Sequence, residues 1–170
     1  MPVHRLNHAV LYVSDVERSG AFYRDILGFR TTMSFPGALF LQAPASTNDV
    51  DLGLFQADGP ARPAPTGRGA VGLYHLAWEV DTLAELERFA GVLANAGALV
   101  GATDHVVIKS LYAKDPDGLE FSVVWVVPPD LLGDARPSNA GFGSLDIGRE
   151  KARYGAETRG GAAVAVPVAD

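Results

Sequence analysis

The sequence predicts an α+β fold in which two βαβββ modules form a cupped mixed sheet around one site, with a C-terminal extension. Two observations predict this fold. A β-rich run, a capped helix and three short strands occur twice in the same order. A stretch rich in proline and glycine separates the two copies. We therefore expect a first module at 1–57, a linker at 58–70, a second module at 71–128 and an extension at 129–170.

The first module is predicted to begin with a strand over residues 6–13. Ser14 and Glu17 have the spacing of a capping box, which indicates the start of a helix. Gly28 is the expected end of that helix, because glycine readily adopts the left-handed conformation of a helix C-terminus. Three short strands are expected after it, at residues 29–34, 38–43 and 50–56.

The second module repeats this order. A strand is expected over residues 72–80, and Thr82 with Glu85 forms a second capping box. Gly97 is the expected end of the second helix. The turn at residues 115–118, with proline second and glycine fourth, suits a type I turn between two strands. The three strands of this module are expected at residues 98–103, 106–113 and 119–127.

Composition narrows the classes of function. The chain of 170 residues has 14 Lys and Arg against 20 Asp and Glu, and its acidic residues are dispersed, so we expect no nucleic acid partner. No apolar run approaches the roughly 20 residues that span a bilayer. Because residues 1–5 do not lead into a signal-peptide core, we expect a cytoplasmic protein with no membrane partner. The absence of cysteine restricts any metal site to nitrogen and oxygen ligands.

His8 and His75 occupy the same point of the two repeated strands, each two residues after a leucine. Side chains alternate along a strand, so each histidine can face one concave sheet. Taken alone, either is typical of a half-buried imidazole bonded to backbone, but their repetition favours a metal site. Glu120 begins a later apolar strand, where burial of an unpaired carboxylate would cost several kcal/mol. We expect it to bind a cation; the alternatives are contact with solvent or a pair with Lys114.

Three segments in order, LNHAVLYV with the helix after it, LYHLAWEV and DPDGLEFSV, resemble the vicinal oxygen chelate superfamily. This superfamily includes glyoxalase I, extradiol ring-cleaving dioxygenases, epimerases, and bleomycin and fosfomycin resistance proteins. Residues 1–127 carry the resemblance, and they look most like catechol 2,3-dioxygenase-like members. The resemblance implies one divalent metal, with His8, His75 and Glu120 as its ligands. Independently, two histidines and one carboxylate suit non-haem Fe(II); Mn(II), Zn(II) and Ni(II) are the alternatives.

The fourth strand of the first module bears on the chemistry. Glyoxalase-type members place a fourth ligand there, for which Asp51 is the candidate; Asp51 is equally typical of a solvent-facing strand residue or of one that orients a neighbouring residue. The dioxygenase branch commonly has histidines on the approach to this strand. This chain has Asp49 and Val50 at those positions, so it lacks the usual acid–base histidine.

Tyr112 and His105 are the predicted catalytic residues. They lie in a segment, residues 103–112, that resembles the dioxygenase stretch in which a histidine and a tyrosine contact the oxygens of the substrate. From the residues alone, Tyr112 can donate to a developing oxyanion beside a metal. The alternatives are a core tyrosine with its tip at the surface and an exposed loop histidine.

These observations favour an extradiol-type dioxygenase that cleaves a small catechol-like diol. One alternative is a glyoxalase-like lyase or isomerase, in which Glu120 exchanges protons and Asp51 completes the coordination. The other is a metal-free binding protein of the bleomycin-resistance type. The resemblance also implies a homodimer. The extension at 129–170 is expected either to be loose or to wrap around the body of the protein or a partner chain.

Overall fold

The structure is a computed structural model that describes residues 3, 5–60, 71–133 and 142–161. Most of the expected linker, and the parts of the expected extension at 134–141 and 162–170, lie outside the described residues. The chain divides into two units. The first comprises Met1–Val71 with Asp115–Leu119, and the second comprises Gly72–Lys114 with Glu120–Asp170.

The first unit contains a βαβββ module, as the sequence predicts. Its four-stranded sheet has the order β1-β4-β3-β2, in which β1 and β4 are parallel and the other pairs are antiparallel. Leu41, Leu52 and Leu54 are fully buried on the same side of this sheet. The elements are β1 (Ala9–Val13), α1 (Val16–Leu27), β2 (Arg30–Phe35), β3 (Ala38–Gln42) and β4 (Leu52–Gln56).

Helix α1 begins one residue later than the predicted capping box implies. Asp15 is the N-cap, and its carboxylate accepts hydrogen bonds from the backbone N–H groups of Glu17 and Arg18, both at 3.0 Å. The hydroxyl of Ser14 does not cap the helix because it donates to Asp117 instead. Gly28 ends the helix with φ of 75°, the left-handed conformation that the sequence predicted.

The turn Asp115–Leu119 is anchored to the start of α1 within the first unit. Asp117 accepts hydrogen bonds from the backbone N–H of Ser14 at 2.9 Å and from Arg18 Nη2 at 2.7 Å, besides the bond from the Ser14 hydroxyl. Burial alone would raise the pKa of Asp117, but the hydrogen bonds from Ser14 and the charge of Arg18 outweigh it and lower that pKa. Asp117 is therefore stabilised as a carboxylate.

The second unit contains the other predicted βαβββ module and adds a strand and a helix from the extension. Its sheet has the order β5-β8-β7-β6-β9, with β5 and β8 parallel and the remaining pairs antiparallel. A 3₁₀ turn covers Pro129–Leu131. The elements are β5 (Leu76–Glu79), α2 (Leu83–Asn95), β6 (Leu99–Asp104), β7 (Ile108–Lys114), β8 (Glu120–Val126), β9 (Gly143–Ser144) and α3 (Ile147–Tyr154).

The described part of the extension packs on the second unit of its own chain. Strand β9 pairs with β6. The indole N–H of Trp125 donates to the carbonyl of Thr158 at 3.2 Å, and the backbone N–H of Gly161 donates to the carbonyl of Val126 at 3.1 Å. Because each bond joins the extension to the sheet, residues 142–161 are an integral part of this unit.

Among the described residues, each module leaves one face of its sheet without a helix of its own unit. In the second unit the helix-covered face holds Leu111, Phe121 and Trp125, which are almost fully buried. In the first unit the other face exposes apolar side chains, among them Val10, Tyr12 and Phe35. Within the described ranges, no helix is long and apolar enough to cross a membrane.

Replacing Asp117 with asparagine tests the anchor between the turn and α1. We expect Asp117→Asn to lower the free energy of unfolding at neutral pH by about 1–3 kcal/mol, because hydrogen bonds to a charged acceptor are lost. The pKa of Asp117 is lowered by folding, so its stabilisation is fully present above its unfolded pKa of about 3.9 and is lost as pH falls through the folded value. The difference in unfolding free energy between the wild type and Asp117→Asn should therefore narrow below about pH 4.

Urea denaturation of the wild type and Asp117→Asn at a series of pH values measures this effect. Asp58→Asn is the matched control, because Asp58 is exposed in the same unit. Equal unfolding free energies of the two variants at pH 7 would contradict the anchoring role.

Candidate functional site

One face of the second unit's sheet carries four of the predicted site residues. Strand register pairs Leu76 of β5 with Phe121 of β8, so His75, the residue just before β5, lies beside Glu120, the first residue of β8. On β7, Tyr112 is directly opposite Ser122, two residues after Glu120. His105 follows β6 immediately. The sheet therefore presents an imidazole, a carboxylate and a phenol on one face, with a second imidazole at the end of β6.

His75 is half-buried between two aromatic side chains. Its ring lies edge-on to Tyr112, with centroids 5.6 Å apart, and to Tyr74, with centroids 4.7 Å apart. Its Nδ1 is buried and has no hydrogen-bond partner among the described residues. A buried polar atom without a partner is costly, so this nitrogen is suited to a ligand outside the chain.

His105 and Tyr112 form a pair. The Nε2 atom of His105 lies 2.9 Å from the Tyr112 hydroxyl, within hydrogen-bond distance. Burial and the neighbouring Tyr74 raise the pKa of Tyr112, although a hydrogen bond with Ser110 opposes them. Tyr112 therefore keeps its proton at neutral pH, and the pair can hold or pass a proton at the sheet face.

Glu120 forms an ion pair with Lys114, one of the alternatives that the sequence predicted. Lys114 Nζ lies 3.7 Å from Glu120 Oε1, too far for a hydrogen bond, and the Glu120 side chain is 24% exposed. Ion pairs this exposed contribute at most about 1 kcal/mol. Glu120 can therefore exchange Lys114 for a metal ion at little cost.

Ser122 is a polar residue of this face that the sequence analysis missed. Its side chain is 1% exposed, and its hydroxyl has no hydrogen-bond partner within the described part of the chain. It lies two residues after Glu120 on β8, so the alternation of strand side chains was the signal that would have placed it beside the carboxylate. A buried hydroxyl at this point can bind an oxygen of a ligand.

His8 belongs to the first unit, whereas His75 and Glu120 belong to the second. His8 precedes β1 instead of lying within it, and its side chain is exposed. Its Nδ1 is 2.7 Å from the side-chain oxygen of Asn7. Its role as a third metal ligand stays a prediction from the sequence.

Asp51, the candidate fourth ligand, serves its own loop in the first unit. Its carboxylate accepts hydrogen bonds from the backbone N–H of Ala43 at 2.8 Å, the hydroxyl of Ser46 at 2.7 Å and the amide of Asn48 at 2.8 Å. These three donors fix the loop before β4. Both carboxylate oxygens are therefore engaged in local structure.

Over residues 3, 5–60, 71–133 and 142–161, no group of three or more His, Cys, Asp or Glu residues is placed to hold a metal ion. His75 and Glu120 nevertheless supply one nitrogen and one oxygen donor from neighbouring strands of a single sheet. That donor set suits a divalent first-row metal, and the unpartnered Nδ1 of His75 fits such a site.

Curated relatives of this chain include a catechol-2,3-dioxygenase and a metapyrocatechase. The chain is 29% identical to the catechol-2,3-dioxygenase of Bacillus subtilis over 113 residues, which is 66% of this chain and 38% of the relative. It is 31% identical to metapyrocatechase 2 of Cupriavidus necator over 119 residues, which is 67% of this chain and 34% of the relative. The chain thus spans little more than a third of the length of these relatives.

Solved structures share the fold. A lactoylglutathione lyase from Agrobacterium tumefaciens superposes with a TM-score of 0.55 at 24% identity, covering 73% of this chain and 95% of that one. A fosfomycin resistance protein from Listeria monocytogenes, solved with Mn(II) and a dihydroxypropylphosphonic acid, gives a TM-score of 0.54 at 17% identity, covering 72% and 92%.

The family model of the Glyoxalase/Bleomycin resistance protein/Dioxygenase superfamily matches residues 5–123. This match includes both repeated strands and Glu120, and it agrees with the two βαβββ modules of the structure. The chain belongs to the Glyoxalase/Bleomycin resistance protein/Dioxygenase superfamily.

Proposed function

We propose that this protein is a metal-dependent extradiol-type dioxygenase that cleaves the ring of a small catechol-like diol. The observation that carries the proposal is the His105–Tyr112 pair, 2.9 Å apart, on the sheet face that also holds His75 and Glu120. Ring cleavage of a diol needs a proton acceptor and a donor close to the metal ligands, and this face supplies both. The dioxygenase relatives support the same choice.

We propose His75 and Glu120 as metal ligands. His8 is proposed as the third ligand, because it occupies the same position as His75 in the repeated sequence. Iron(II) is favoured, because two histidines and one carboxylate leave positions open for substrate and oxygen. Mn(II), Zn(II) and Ni(II) are the alternatives. When bound, iron(II) would supply a redox-active Lewis acid beside the sheet face.

The chain's own groups then bind the diol and move its proton. The Tyr112 hydroxyl donates a hydrogen bond to a substrate oxygen, because its raised pKa keeps it protonated. A substrate hydroxyl passes its proton to the Tyr112 oxygen as Tyr112 passes its own proton to Nε2 of His105, 2.9 Å away, so Tyr112 stays protonated and then donates to the substrate oxygen. Tyr74, which is exposed beside His75, offers an aromatic surface to the ring of the substrate. This arrangement gives His105 the acid–base role that the residues at positions 49 and 50 cannot fill.

A glyoxalase-like lyase or isomerase is less well supported. That mechanism requires a fourth ligand, for which Asp51 was the candidate, and the Asp51 carboxylate accepts three hydrogen bonds within its loop. A binding protein without a metal has no use for a half-buried carboxylate beside an unpartnered imidazole nitrogen. The homodimer and the cytoplasmic location expected from the sequence stay predictions.

Metal content tests the ligand assignment. We expect near-stoichiometric iron or manganese in untagged wild type, measured by inductively coupled plasma mass spectrometry, and its loss in His75→Ala and Glu120→Ala, because each removes a donor. Asp51→Asn is the control and should keep the metal, since its carboxylate serves the loop. Stoichiometric zinc or nickel would favour the lyase, and no metal after reconstitution would remove both enzymes from consideration.

Oxygen uptake with catechol tests the chemistry. We expect Tyr112→Phe to lower kcat by about 100-fold or more with a small change in KM, because the proton donor is lost while the aromatic ring remains. Tyr12→Phe is the matched control, since Tyr12 is an exposed tyrosine on β1 of the first unit. No oxygen uptake by iron-reconstituted wild type across a panel of catechols would refute ring cleavage.

A further inference from the structure

The turn between β6 and β7 contains a strained residue next to His105. Val106 has φ of 70°, the left-handed region, which a β-branched side chain disfavours strongly. Such a conformation persists only where the surrounding structure enforces it. The contacts that enforce it here lead away from the sheet face to the C-terminal part of the chain.

Asp104 holds the turn from inside. Its Oδ1 atom accepts the backbone N–H of Val106 at 2.7 Å and the ammonium of Lys109 at 2.6 Å. Burial would raise the pKa of Asp104, but the hydrogen bonds from Lys109 and Val106 outweigh it and lower that pKa. Oδ1 of Asp104 thus links Val106, the strained residue, to Lys109.

Lys109 is buried on the helix-covered face and depends on a second carboxylate. Both Lys109 and Glu150 of α3 have side chains that are 1% exposed, and Nζ lies 2.9 Å from Glu150 Oε2. Removing the Glu150 charge takes away one of the two carboxylates, Asp104 and Glu150, that contact this buried ammonium. Glu150 therefore completes a chain of contacts from α3 through Lys109 and Asp104 to Val106.

The same segment reaches His105 directly. The ring of Phe142 lies 4.8 Å from the His105 ring, centroid to centroid, at 72°. Strand β9, which follows at once, pairs Gly143 with Asp104 and Ser144 with Thr103. Two independent contacts therefore join residues 142–154, here called the C-terminal clamp, to the turn that carries His105.

We propose that the C-terminal clamp positions His105 against Tyr112, with Glu150 and Phe142 as positioning residues. Without the clamp, the turn relaxes at Val106 toward a negative φ and carries the His105 ring away from the Tyr112 hydroxyl. The catalytic consequence rests on the proposed function, whereas the placement of His105 does not.

Glu150→Gln tests the clamp, because it removes the charge and keeps the shape. The readout is the pair of imidazole ¹⁵N chemical shifts of His105 in the full chain without added metal, assigned with His105→Gln. We expect these shifts to move in Glu150→Gln, because the contact at Nε2 is weakened. Lys151→Gln is the matched control: it breaks the 2.6 Å ion pair between α3 and Glu87 but does not touch Lys109, so the His105 shifts should stay.

Phe142→Ala is the second variant, since the Phe142 side chain is mostly exposed and its loss should leave the fold intact even where Glu150→Gln does not fold. It should also move the His105 shifts, and Phe142→Tyr should restore them. In turnover, both clamp variants should lower kcat by roughly 10- to 100-fold with KM little changed.

Unchanged His105 shifts in Phe142→Ala or in folded Glu150→Gln would overturn the proposal, as would an equal change in Lys151→Gln. The spectra need no substrate, so the two proposals fail separately. If the His105 shifts change in the variants but the wild type does not cleave catechol rings, the clamp is kept and the dioxygenase is refuted. If the His105 shifts do not change in the variants but the wild type cleaves catechol rings, the clamp is refuted and the dioxygenase is kept.

Discussion

The candidate site depends on the register of β8, the strand between β5 and β7 in the second unit. Because β5 runs parallel to β8 and β7 antiparallel to it, one set of alternating side chains from three distant segments meets on one face. His75, Glu120 and Tyr112 belong to this set. A slip of one residue in either pairing would turn a site residue toward the helix-covered face and bury a polar group in the core.

The same register places Lys109 on the helix-covered face, where it is the cross-strand partner of Trp125. A buried ammonium there is tolerated only because Asp104 and Glu150 both contact it. The extension thus supplies the second carboxylate that the sheet itself lacks. Strand β7 thus carries Tyr112 on one face and, on the other, Lys109, which binds Glu150 of the C-terminal clamp.

Membership of the superfamily fixes the fold more firmly than the reaction. Solved structures that share its fold include a lyase and a fosfomycin resistance protein, while the curated relatives of this chain include a catechol-2,3-dioxygenase. One fold carries several chemistries, so the function must be argued from the site. Within the described residues, the site offers three such features: the His75 Nδ1 without a hydrogen-bond partner, the exposed ion pair of Glu120 and the 2.9 Å contact between His105 and Tyr112.

The sequence by itself determined the two βαβββ modules, the helix end at Gly28 and the residue types of the site, because local periodicity, caps and repeats report short-range structure. Local pattern did not separate Ser14 from Asp15 as the cap, since the choice depends on Asp117, about 100 residues away in the chain. Only the tertiary structure decided that Asp51 serves its loop, that Ser122 joins the site face, and that residues 142–161 pack on their own unit. Each of these depends on contacts between residues that sequence periodicity does not connect.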